Sequence, residues 1–84
     1  MDKNVFVLHT EVVLDCQLEL REIIVFGSEG EAKENFKRVC EECRKEFVRD
    51  GWQTDVSATS FESYPDGYYH DDHVLVELYE TKIV

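Results

Sequence analysis

Residues 4 to 14 alternate in polarity, with Phe6, Leu8, Val12 and Leu14 on one side of an extended chain and Val5, Val7, His9, Glu11 and Val13 on the other. A period of two predicts a β-strand. Asp15, Cys16 and Gln17 interrupt the pattern, and a second strand is predicted over 18 to 26, where Leu18, Leu20, Ile24 and Phe26 oppose Glu19, Arg21, Ile23 and Val25. Two strands joined by so short a break make a hairpin.

The period then changes. Ser28 and Glu31 follow Gly27 with the S-x-x-E spacing of a capping box, which satisfies two orphan amides at a helix start. Ala32, Phe36, Val39, Cys40, Cys43 and Phe47 recur at three- and four-residue intervals and draw one apolar stripe. On the wet side, Glu34 with Arg38 and Glu41 with Lys45 stand one turn apart. Glu29, Glu31 and Glu34 come early and Arg44, Lys45 and Arg49 late, which suits the helix dipole, and Gly51 is the expected left-handed stop. A helix is predicted over about residues 29–49.

Trp52, Val56 and Ala58 alternate with Gln53, Asp55 and Ser57, but the apolar phase resumes at Phe61 on the other parity, so the third strand is predicted to be broken or bulged near Thr59. Pro65, Asp66 and Gly67 form a turn, because Pro presets the first corner and Gly accepts a positive φ at the close. The last strand is predicted from His73 to Ile83, with Val74, Val76 and Leu78 on one face and Leu75, Tyr79 and Ile83 on the other. The expected architecture is α+β: a two-layer sandwich in β-β-α-β-β order, four strands mainly antiparallel, one helix across one face. A chain of 84 residues supports a single domain, 1–84.

Composition excludes disorder, since 43% of residues are apolar and 12% aromatic despite a formal net charge of -10. That charge is unevenly spread. Asp50, Asp55, Glu62, Asp66, Asp71, Asp72, Glu77 and Glu80 lie between Arg49 and Lys82 with no Lys or Arg among them, whereas the predicted helix is nearly balanced. Such a one-sided field repels nucleic acid and anionic membranes and attracts basic protein surfaces. Three cysteines, an odd number, and an N-terminus without the features of a signal peptide lead to the expectation of a cytoplasmic protein with free thiols.

Two constellations invite chemistry. Cys40-x-x-Cys43 with His70-x-x-His73 spells a zinc pattern, but both cysteines belong to the helical stripe, where a thiol packs as a small hydrophobe rather than turning outward as a ligand. The run Asp66 to His73 is the densest polar cluster, and Asp66, His70, Asp71 and His73 could act as acid, base or metal ligands in a small metal-dependent or hydrolytic enzyme. It lacks a calcium-loop order and any nucleophile beside a base. Tyrosines among the acids suit a Lys- or Arg-rich partner instead, through cation–π contacts and ion pairs. The expectation is therefore a small acidic binding protein without a cofactor, engaging a basic protein through Asp66, Tyr68, Tyr69, Asp71 and Asp72, in its sharpest form as a nucleic-acid mimic. A metal-dependent enzyme and an oligomerisation module are the alternatives. One helix covers one sheet face, so the other face (Val5, Val7, Val13, Ile23, Val25, Leu75, Tyr79 and Ile83) is expected to pair two copies into a homodimer.

Overall fold

The computed structural model describes residues 3–65 and 72–83, the Ile83 side chain excepted. Its elements are β1 (Lys3–Leu14), β2 (Gln17–Phe26), α1 (Glu29–Glu46), β3 (Gln53–Val56), β4 (Ser60–Tyr64) and β5 (His73–Ile83). The α+β class is as the pattern predicts. The strand count is not: the sheet has five strands in spatial order β2-β1-β5-β4-β3, with every neighbouring pair antiparallel, and the chain order is β-β-α-β-β-β.

The fifth strand arises where a bulge was expected. Between Val56 and Phe61, which face each other across the β3–β4 pair, the chain reverses completely. The Ser57 N–H donates to the Ser60 carbonyl at 2.8 Å, the two hydroxyls lie 3.1 Å apart, and the Thr59 N–H donates to Ser57 Oγ at 3.3 Å. Short polar side chains thus bond the loop to itself. A tight reversal shifts the apolar phase just as a bulge does, which is why the two look alike along the chain. The loop is held down by β5, whose Leu78 N–H donates to the Thr59 carbonyl at 2.8 Å.

The β1–β2 turn is two residues long, since Leu14 pairs with Gln17. Asp15 (φ 54) and Cys16 (φ 63) both adopt the left-handed conformation that such hairpin turns demand. Further along, the register slips between Val12 and Val13, so that Val12 faces Leu20 while Val13 faces Leu18. Glu19 is the extra residue, and Leu18 moves to the face opposite Leu20 rather than sharing it as strict alternation predicts.

Helix α1 starts as expected, Ser28 Oγ accepting the Glu31 N–H at 3.5 Å. It ends three residues early, with Phe47 as the cap and its N–H on the Cys43 carbonyl at 2.9 Å. Gly51 (φ 86) serves the turn into β3 rather than the helix end, beside a Trp52 N–H to Arg49 carbonyl bond of 3.2 Å. The helical salt bridges also differ: Glu29 with Lys33 at 2.7 Å, and Arg38 with Glu42 at 3.1 Å, Arg38 being held as well by Asn35 at 2.8 Å. Exposed pairs of this kind exchange partners at little cost.

The core lies between α1 and the sheet face carrying Leu8, Val12, Phe61, Val74, Val76 and Leu78, closed from the helix by Ala32, Phe36 and Cys43. Arg44 near the helix end lays its guanidinium over the Phe61 ring, 5.3 Å from the centroid, tying α1 to β4. The molecule is elongated, 47 × 20 × 17 Å. Its radius of gyration of 13.9 Å exceeds the ~12 Å of a compact chain of this length. A 12-residue strand spans about 40 Å and an 18-residue helix about 27 Å, so α1 cannot cover the sheet from end to end.

Candidate binding surfaces

The sheet face turned away from α1, here the outer face, brings together groups far apart in the chain. Across its middle runs a charged row. Glu11 on β1 takes hydrogen bonds from Arg21 on β2 and from His73 Nε2 on β5, the latter at 3.1 Å. Beside it His9 Nδ1 lies 3.0 Å from Glu77 Oε1. The Arg21 guanidinium first, then His73, hold the Glu11 carboxyl below its ordinary range, against a smaller opposing effect of burial.

The apolar residues of the outer face are set around these charged groups. Val5, Val7, Val25 and Tyr79 lie beyond the His9–Glu77 pair and Ile23 level with it, Leu75 stands opposite Glu11 between His73 and Glu77, and Val13 and Leu18 lie level with His73. Val5 and Val7 are already covered by their neighbours, at 6% and 7% exposure, whereas Ile23 (61%) and Val25 (58%) on β2 stand out in solvent. The Ile83 side chain lies outside the described residues.

On the β3–β4 side the outer face is acidic. Asp55 and Glu62 are directly opposite each other, Glu62 is also opposite Leu75, and Glu77 is opposite Ser60. Both Asp55 and Glu62 are exposed, and neither has a Lys or Arg ion pair among the described residues. Facing like charges oppose strand pairing. The Tyr64 hydroxyl donates to Asp55 Oδ2 at 3.0 Å, orienting that carboxylate without neutralising it.

Of the residues expected to bind a partner, Asp66, Tyr68, Tyr69 and Asp71 lie outside the described residues, as does His70. Asp72 is described and is buried: its Oδ1 accepts the Cys16 N–H at 3.2 Å and so braces the β1–β2 turn. Asp55 and Glu62 belong to the acidic half, and the signal that joins them is the polar run Ser57 to Ser60: reading it as a reversal rather than a bulge places them face to face.

The zinc pattern is split by the sheet. Cys40 and Cys43 are on α1, their thiols pushed up to about 12 and about 11 by burial, while His73 is on the outer face with Glu11. Among the described residues no three His, Cys, Asp or Glu side chains converge. His73 and Glu11 form an imidazole–carboxylate pair on the outer face, 3.1 Å apart. Among the described residues two grooves flank the helix on the other side: one of about 510 Å³ between α1 and the β3–β4 loop, with Phe36, Cys40, Val56 and Ala58 in its wall, and one of about 350 Å³ between α1 and β2, reaching Leu20, Val39 and Phe47. No helix among the described residues is long and apolar enough to cross a membrane. Comparison with protein-family models, with curated proteins and with solved structures finds no match.

Proposed function

We propose that this chain is a non-enzymatic, cytoplasmic binding protein that presents the acidic β3–β4 side of its outer face to a basic protein surface. The observation that carries the reading is the Asp55–Glu62 pair, two carboxylates set opposite each other with no Lys or Arg ion pair among the described residues. A cross-strand like-charge pair costs stability in the free molecule, and a partner's Lys or Arg seated between them would remove that cost. Glu77 on the adjoining strand and the Tyr64 ring extend the same surface. In the sharper form of the proposal the spaced carboxylates stand in for phosphates and occupy a groove that otherwise holds nucleic acid.

The test is capture of a partner from host lysate by the wild type and by Asp55→Lys/Glu62→Lys, at low and high salt. The expected outcome is a complex that weakens with salt, through screening over a Debye length of about 8 Å at physiological ionic strength, and that the double variant loses. A complex indifferent to both salt and the double substitution would remove the proposal.

A further inference from the structure

We propose that β2 pairs antiparallel with β2 of a second copy of this chain, about a two-fold axis at Ile23, joining two five-stranded sheets into one. The sheet has two edges, and they are unlike. β3 is four residues long and carries Asp55, the usual means of discouraging strand addition. β2 is ten residues long and contains neither Lys nor Pro, and its outward side chains Ile23 and Val25 are among the most exposed large hydrophobics of the chain. An edge of that length leaves a row of backbone N–H and C=O groups with no strand beside it among the described residues.

Symmetry and charge select the register. A two-fold that makes strands antiparallel stands perpendicular to the sheet and pairs residues of the same face, so it must pass through one residue of β2. At Arg21 it sets two guanidinium groups against each other, and at Glu22 two carboxylates. At Ile24 it draws Gly27 and Ser28, which lead into α1, into the pairing. At Ile23 it pairs Leu20 with Phe26, Arg21 with Val25 and Glu22 with Ile24, so no like charges face each other. Leu20–Phe26 is also the part of β2 beyond the bulge, paired with β1 without a slip, and Ile23 is its midpoint. Seven facing pairs supply about six to eight main-chain hydrogen bonds. Closure leaves the short acidic β3 at both ends of the joined sheet, which ends the assembly at two copies.

Stacking of two outer faces fits less well. Val5 and Val7 are already covered, and the row of Arg21, Glu11 and His73 would have to be buried between the copies. The two geometries are separable by experiment because Tyr79 lies on the same face, two strands in from the edge.

Sedimentation of the whole chain at tens of micromolar in high salt should show a dimer. Ile23→Lys, which brings two ammonium groups together on the axis, should raise the dissociation constant at least about tenfold, while Tyr79→Lys should leave it within about twofold. In a Cys16→Ser background, Ile23→Cys should form a covalent dimer on mild oxidation, since directly opposed residues come within disulfide reach. A monomeric wild type, Tyr79→Lys disrupting as strongly as Ile23→Lys, or an Ile23→Cys chain that stays monomeric under non-reducing conditions would each overturn the proposal.

Discussion

Cys16 occupies a left-handed conformation that L side chains enter at a cost, and its N–H is held by the buried Asp72. Cys16→Gly should therefore raise stability by about 0.5–1 kcal/mol in urea unfolding, the relief of the Cβ clash outweighing the extra chain entropy. Asp72→Ala should lower it by about 1–3 kcal/mol, because the turn amide loses its acceptor. Cys16 is also the exposed thiol. With Cys40 and Cys43 pushed up to about 12 and about 11, a thiol reagent at mildly alkaline pH should label one fast equivalent in the native protein and three after denaturation. Equal labelling of all three in the native state would contradict the burial of the helical stripe. Glu11 makes a pH prediction. Its folded-state pKa is depressed, so its contribution to stability is fully present above the ordinary value near 4.5 and is lost as pH falls through the folded value. The stability gap between wild type and Glu11→Gln should be widest near neutrality and narrow in acid.

At the level of elements, α1 is anchored by its apolar stripe, by the Ser28 cap and by the Arg44–Phe61 contact with β4. Ser28→Ala should cost about 0.5–2 kcal/mol through the lost cap. Arg44→Ala should cost more than a surface charge usually does, about 1 kcal/mol, since the guanidinium and its stem lie against Phe61. Arg44→Lys should recover only part of that loss, because an ammonium does not spread over a ring. The β3–β4 hairpin is tied sideways by Ser63, fully buried, whose hydroxyl donates to the Gln53 carbonyl at 2.9 Å and lies 3.0 Å from Thr54 Oγ1. It is through this hairpin that Asp55 and Glu62 come to face each other.

For the whole molecule, charge and shape act together. A net charge of -10 on a chain of 84 residues opposes compaction, and the elongated sheet spreads those charges rather than concentrating them. Thermal stability should rise with added salt as self-repulsion is screened, measured at a concentration low enough to hold the chain monomeric. The proposed dimer should strengthen with salt and the proposed basic-partner complex weaken, so the two associations have opposite salt dependence.

Much of the architecture is legible along the chain because it is local. The break in alternation at Asp15, Cys16 and Gln17, the Ser28 cap and the three-four spacing from Ala32 to Phe47 each act within a few residues, and the first hairpin and the helix form where those signals stand, with Gln17 already paired in β2. Alternation likewise assigns Leu8, Val12, Val74 and Val76 to one face, since a side-chain period of two is a property of any strand. Other features depend on which strands meet. The Glu19 bulge that turns Leu18 over and the reversal at Ser57 that makes a fifth strand depend on which residues pair across each hairpin, and the order β2-β1-β5-β4-β3 depends on hydrogen bonds between distant segments. The candidate surface is of this second kind: Glu11 meets His73 across 62 residues, and Asp55 faces Glu62 only once the chain has doubled back. The one-sided composition determined that acidic groups would go without bases, and tertiary pairing decided which carboxylates stand exposed together and which, like Asp72, turn inward to brace a turn.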